Sequence, residues 1–273
     1  MRSYHFVPAH NRRFLERIPD LAADRFVLEL EDGVGDNEKE EARRNSELFL
    51  SQVKARDYFL RVNPLDSEHW KEDLKMLLRL KELPSIVLPK VETEQEVRDA
   101  ATLLHGAKEV RFLTLIESFS GLASCRELAR IPEVMGLGIG MEDLMSETVH
   151  AQTDLESLVS GVQLEVVLAA RAAGKVAIDT ISTTIRDENQ FREECKRSRS
   201  RGFHGRFLIH PMQISIANEV YAPSSEMEEW AREILHLSGG DETGGYQSLR
   251  GRVVSGPMVL KAKSIINQLE NIK

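Results

Sequence analysis

The sequence predicts one (β/α)8 barrel, an α/β fold, followed by a glycine-rich segment and a terminal helix. Three observations carry this reading. Short apolar or β-branched runs recur eight times, stretches with helical periodicity separate them, and the runs end in polar or charged residues. A chain of 273 residues also has the length of one such barrel.

The first run, 4–7, is followed by Asn11, a helix cap ahead of Phe14, Leu15 and Ile18. The second, 25–30, leads to Asn37 and a helix with Ala42; the third, 58–62, leads to Asp66 or Ser67 as cap for Trp70, Leu74 and Leu77. After the fourth run, 85–88, Thr93 and Glu96 form a capping box. The fifth and sixth runs are 110–116 and 134–139. A long helical pattern over 154–173 then closes at Gly174, where a left-handed cap is natural. The seventh run, 176–178, precedes a helix opened by Asp187 with Gln190, and the eighth is 207–209. Ser224 and Ser225 cap a further helix carrying Met227, Trp230, Ile234 and Leu235. The glycines of 238–256 predict a mobile loop, either a lid or a connector, and Pro257 opens the last helix. The expected division is a barrel over 1–237 and a glycine-rich segment with terminal helix over 238–273.

Composition excludes several classes. With 41% hydrophobic and 29% charged residues, the chain is too apolar for general disorder. The apolar stretch 161–173 is broken by Gln163, Glu165 and Arg171, short of the roughly 20 clean residues of a membrane span. No basic start with an apolar stretch marks a signal peptide, so a cytoplasmic location is expected. Cys125 and Cys195 make neither a disulfide framework nor a metal knuckle. A net charge of −8 leaves KRSRSR at 196–201 as the one basic cluster, either a solvated helix end or a contact to a phosphate. No nucleic acid or membrane partner is expected.

In a (β/α)8 barrel the strand C-termini converge on one face, and here they offer His10, Glu29, Glu31, Asp32, Arg61, Lys90, Glu117, Asp143, Asp179 and His210. Glu117 and Asp143 end consecutive strands, an arrangement suited to Mg²⁺ but also to helix caps or ion pairs. Arg61 has the planar fork that matches a carboxylate, or it pairs internally with Glu29, Glu31 or Asp32. GLGIG at 136–140 lacks the third glycine of a dinucleotide fingerprint, and no P-loop, HExxH or GxSxG occurs.

The ordered motifs resemble the citrate lyase β-subunit-like branch of the HpcH/HpaI aldolase family. They are RSYHFVPAHNRRFLE at 2–16, FVLELEDGV with Lys39 and Ala42-Arg43, LRVNP at 60–64, LPKVE at 88–92, LIESFSGL at 115–122, GIGMEDL at 138–144, ARAAGKVAIDT at 170–180 and GFHGRFLIHPMQI at 202–214. The resemblance implies a TIM barrel of the phosphoenolpyruvate/pyruvate-binding type, a homotrimer or larger, that makes or breaks a carbon–carbon bond with Mg²⁺. It implies Glu117 and Asp143 as metal ligands and a substrate lying against Arg61, Glu117, Gly140, Met141 and Asp143. Arg61, with the acidic pair Glu31 and Asp32, falls at the catalytic positions, and the substrate is a small 2-oxo acid with or without an acyl-CoA thioester.

Departures from the family pattern bear on the reaction. Arg250 and Ser255 stand where the glycine-rich segment of thioester-cleaving relatives has acids, and serine is no carboxylate base. Glu29 replaces the usual aspartate, Gly33 an alanine, Arg206 a lysine and Ser118 a threonine. An aldolase acting on a non-thioester hydroxy-oxo acid, and a noncatalytic ligand-binding or assembly subunit, therefore stay open.

Overall fold

The computed structural model describes residues 1–104, 109–148, 155–240, 242, 247–249 and 252–270. Eight parallel strands form a closed barrel in chain order: β1 (Ser3–Pro8), β2 (Arg25–Glu29), β3 (Phe59–Arg61), β4 (Ser85–Leu88), β5 (Phe112–Ile116), β6 (Val134–Ile139), β7 (Val176–Asp179) and β8 (Gly205–Leu208). β8 returns to β1 with His5 opposite Leu208. The chain divides into two compact units, Met1–Tyr221 and Ala222–Lys273.

Several helix starts lie where cap chemistry placed them, whereas Asn37 is not a cap: it sits in the short turn Asp36–Glu38, and the helix Lys39–Gln52 begins after Glu38 without a side-chain cap. Asn11 accepts from Arg13 N, Ser67 from Trp70 N and Asp187 from Gln190 N, each satisfying a donor that the helix itself leaves free. Thr93 Oγ1 accepts from Glu96 N while Glu96 accepts from Thr93 N, the reciprocal bond of a capping box. The helix Leu155–Ala172 stops before Gly174 at φ 68°, and Glu188–Arg201 stops on Gly202 at φ 104°, torsions that glycine adopts without Cβ strain. The basic cluster is the end of that last helix: Lys196 pairs with Glu193, and Arg201 donates to Ser160 Oγ and to Gln163.

The lumen follows the two-residue alternation of strands. Tyr4, Val27, Phe59, Val87, Leu113, Leu115, Ile178 and Phe207 fill it. A Cβ on Gly138 would stand 2.7 Å from Leu115 Cδ2 and 2.7 Å from Phe207 Cε2, and one on Gly136 would stand 2.8 Å from Val176 O. The glycines of GLGIG thus leave room for the packed lumen. β8 begins earlier than the apolar run indicates, because Gly205 admits Arg2 O, which a Cβ would approach to 2.6 Å.

In the second unit the helices Ser225–Ser238 and Gly256–Glu270 are joined through Ala231, Ile234, Val259, Ala262 and Ile265. Where a mobile loop was expected, β9 (Gln247–Leu249) and β10 (Arg252–Val254) pair antiparallel. Three-residue strands flanked by glycines carry too little alternation to stand out in sequence. Arg250 lies outside the described residues. Among the described residues no helix is long and apolar enough to cross a membrane.

Candidate active site

The strand alternation that fills the lumen also builds the site. Two residues beyond Val27, Phe59 and Leu115, the same faces of β2, β3 and the end of β5 carry Glu29, Arg61 and Glu117. Glu29 and Arg61 are register partners across β2 and β3. Arg61 Nε donates to Glu29 Oε2 at 2.6 Å, and its Nη1 lies 3.0 Å from Glu31 Oε2. The guanidinium carbon sits 4.7 Å from the ring centre of Phe6, a cation–π contact. Burial works against the charge of Arg61, but the carboxylates of Glu29 and Glu31 outweigh it and hold the guanidinium more firmly protonated than in water. Of the three internal partners considered in the sequence, Glu29 and Glu31 pair with Arg61 while Asp32 lies beside Lys90, and Nη2 makes no hydrogen bond among the described residues.

Lys90 follows β4 and has the left-handed φ of 53°, unusual for a residue with a side chain and costing about 1–3 kcal/mol. Three contacts hold it there. Its N–H donates to Glu117 Oε2 at 2.8 Å, and its Nζ lies 3.0 Å from Glu31 Oε1 and 3.7 Å from Asp32 Oδ1. Partial burial opposes the charge of Lys90, yet Glu31 raises its pKa above the ordinary value. Both oxygens of Glu31 are buried at ion-pair distance from these cations without a hydrogen bond of good geometry.

Glu117 is 4% exposed. Burial first, then the charges of Glu31 and Asp143, push its carboxyl up to about 8 against the pull of Arg61 and the Lys90 N–H. Gly140, just after β6, leaves the space that the Glu117 carboxylate occupies. The short helix Met141–Ser146 then presents Asp143, and Met141 N donates to Thr180 Oγ1 at 3.2 Å, tying the ends of β6 and β7 together. A cavity of about 250 Å³ opens between Arg61, Glu117, Asp143, Asp32, Met141 and Thr180. Glu29, Glu31, Asp32, Glu117 and Asp143 face two cations, Arg61 and Lys90, so the site carries excess negative charge. Every predicted site residue except Glu31 borders this cavity directly, and Glu31 reaches it through Arg61 and Lys90.

The donor set fits Mg²⁺. Its oxygens are hard, the raised Glu117 carboxyl shows charge a cation would relieve, and the Gly140 space keeps that carboxylate in place. No group of three His, Cys, Asp or Glu side chains converges among the described residues. Two carboxylates with water and substrate completing the shell is the ordinary arrangement for Mg²⁺.

Several supporting residues were not assigned from sequence. Lys39, buried, donates from Nζ to the carbonyls of Leu30 and Glu31 at 2.8 Å each and clamps the acidic turn. Asp73, fully buried, accepts from Asn63 N, Asn63 Nδ2 and Arg43 Nη1, fixing the chain just after Arg61. Its signal was readable: a carboxylate on the buried stripe of Trp70 and Leu77 at helical spacing. Arg206 donates to Thr180 O and Ile181 O and so holds the β7 rim. Asp179 accepts from Gln163 Nε2 in the interior, and His210 Nδ1 accepts from Met212 N at an exposed helix start.

The sequence profile of the HpcH/HpaI aldolase/citrate lyase family matches residues 2–211. The chain belongs to this family. A (3S)-malyl-CoA thioesterase from Cereibacter sphaeroides is 33% identical over 279 residues, covering 99% of this chain and 95% of that protein. Citrate lyase subunit beta of Leuconostoc mesenteroides subsp. cremoris is 30% identical over 282 residues, 97% of this chain and 92% of that one. Among solved structures, CitE from Mycobacterium tuberculosis with magnesium, acetoacetate and coenzyme A superposes with a TM-score of 0.79 at 26% identity, covering 98% of each chain. The citrate lyase β-subunit-like motifs of the HpcH/HpaI sequence thus agree with the family match and with the relatives.

Proposed function

We propose that this HpcH/HpaI family member is a Mg²⁺-dependent carbon–carbon lyase or aldolase that cleaves or forms a bond to a small 2-oxo acid. The observation that carries the reading is the convergence of Glu117, Asp143 and Arg61 on one cavity at the C-terminal face of the barrel. In it Glu117 and Asp143 hold the metal, and Arg61 receives the carboxylate of the 2-oxo acid through the amino group its internal partners leave. Mg²⁺ supplies Lewis-acid polarisation of the substrate carbonyl. Glu31 and Asp32 keep Lys90 charged and in place, and the protonated Arg61 and Lys90 stabilise negative charge as the bond to the neighbouring carbon breaks or forms.

A second cavity of about 300 Å³, bordered by His5, Phe14, Arg17 and His210, shares Phe6, Pro8 and Ile209 with the first. The second cavity thus lies beside the first, which supports a substrate with an arm longer than a 2-oxo acid, such as an acyl-CoA thioester, as the carbon partner. The relatives whose names or ligands include CoA point the same way.

The test is incubation of the protein with Mg²⁺, acetyl-CoA and either glyoxylate or pyruvate, with mass spectrometry for the condensed thioester. A parallel reaction offers two free 2-oxo acids. An adduct that chelator suppresses establishes the lyase reading, and its mass shows whether CoA is used. Binding of 2-oxo acid with no adduct in either reaction replaces the enzyme reading by that of a ligand-binding subunit.

A further inference from the structure

The geometry points to Glu29 as the positioning residue of Arg61, seated in a space that exists because position 33 has no side chain. The inference rests on the reading of Arg61 as the receptor for the substrate carboxylate.

Glu29 is 1% exposed and both of its oxygens are used. Oε1 accepts from Glu31 N at 2.5 Å, and Oε2 accepts from Arg61 Nε at 2.6 Å. With Nη1 at 3.0 Å from Glu31 and no hydrogen bond made by Nη2 among the described residues, Arg61 retains one amino group, Nη2, for a ligand. The Nε/Nη2 edge that arginine usually offers for bidentate binding is therefore half occupied. A ligand carboxylate is taken through a single amino group, which suits a 2-oxo acid whose remaining oxygens are directed to the metal. Glu29 thereby sets both the direction of Arg61 and the way it meets its substrate.

Gly33 makes this possible through space. Its φ lies outside the left-handed region, so alanine is conformationally acceptable there. The obstacle is Glu29: a Cβ at position 33 would stand 2.8 Å from its Cγ and 3.6 Å from its Cδ. Because Cγ lies in the middle of a side chain anchored at both oxygens, it cannot yield without releasing Arg61 Nε or the Glu31 N–H. A single methyl at position 33 is transmitted through Glu29 to Arg61.

The experiment is a double-mutant cycle of Gly33→Ala and Glu29→Ala, read by calorimetric titration of pyruvate and glyoxylate at saturating Mg²⁺, by titration of Mg²⁺ alone, and by thermal melting. Gly33→Ala is expected to weaken 2-oxo acid binding about tenfold while Mg²⁺ affinity stays within about threefold. Glu29→Ala should weaken it as much. In the Glu29→Ala background, where no Cγ is left to meet, Gly33→Ala should change neither binding nor melting. Independent effects of the two substitutions overturn the proposal, and so does coupling seen in melting without coupling in 2-oxo acid affinity, which makes the pair a packing feature only. Failure of the unaltered protein to bind either acid overturns the reading of Arg61 itself. In that case coupling in melting still shows whether Gly33 and Glu29 meet as described.

Discussion

A Cβ on Gly140 would stand within 3.0 Å of Oε1, Cγ and Cδ of Glu117, so the glycine after β6 and the carboxylate after β5 share one space. The backbone of one strand end thereby holds the principal acid of the next. Lys90 N holds the same carboxylate from the other side at 2.8 Å.

Gly140→Ala is therefore expected to displace Glu117 and weaken Mg²⁺ binding at least about tenfold with the barrel still folded. Calorimetry with Mg²⁺, beside circular dichroism, measures both. Gly161→Ala is the control. That glycine lies in the helix Leu155–Ala172 with open space around its missing Cβ, and the change should stabilise the protein by about 0.5–1 kcal/mol. Unchanged Mg²⁺ affinity in Gly140→Ala removes Glu117 from the metal site.

Mg²⁺ binding should depend on pH through Glu117. Its carboxyl titrates at about 8 without metal, far above its unfolded value, so the metal-free protein binds an extra proton between the two values. That contribution to stability is present at low pH and is lost as pH rises through about 8. Mg²⁺ needs the ionised form, so apparent affinity should rise up to about tenfold per pH unit until about pH 8 and level off above it. Titration in buffers of different ionisation enthalpy should show close to one proton released per Mg²⁺ near pH 6.5. In Glu117→Gln both the pH dependence and the proton release should vanish along with tight binding.

Two histidines should limit acid stability. Burial pushes His5 and His204 down to about 4, His5 having a buried Nδ1 without partner and His204 facing Arg171. Because the unfolded chain takes up these protons first, the stability is fully present above about pH 6.5 and falls as pH drops to about 4. Each imidazole contributes on the order of 2–3 kcal/mol over that range. Melting temperatures from pH 4 to 7 should fall less steeply in His5→Leu than in the unaltered protein. An identical slope excludes His5 as a source of the effect.

Asp73 ties the helix Glu68–Arg79 to the chain after β3. Asp73→Ala leaves Arg43 without its buried carboxylate and Asn63 with two unmatched donors, a loss of about 3–5 kcal/mol. Denaturant unfolding measures it. A loss under about 1 kcal/mol means that the contacts are replaced elsewhere.

The barrel was legible because most strands are short apolar runs and several helix starts carry their own cap, as at Ser67, Thr93 and Asp187. Glu117, Asp143 and Arg61 were legible because strand ends in such a barrel share one face. What the sequence could not show is how charges are divided. Arg61 had an external and an internal reading, and the structure gives two of its nitrogens to Glu29 and Glu31 while the residue still borders the cavity. The left-handed backbone of Lys90 had no signal, because nothing in a lysine announces it. The space between Gly33 and Glu29 is likewise a relation in three dimensions between residues that, read singly, are minor departures from the family pattern.

In the proposed site Glu117 and Asp143 bind Mg²⁺ beside an arginine that receives a 2-oxo acid. Calorimetric titration of glyoxylate, pyruvate and oxaloacetate, first with Mg²⁺ and then with chelator, tests it most directly. At least one acid should bind with Mg²⁺ and be released when the metal is withdrawn, and Glu117→Gln should bind none. Equal binding with and without Mg²⁺, or binding retained in Glu117→Gln, would contradict it.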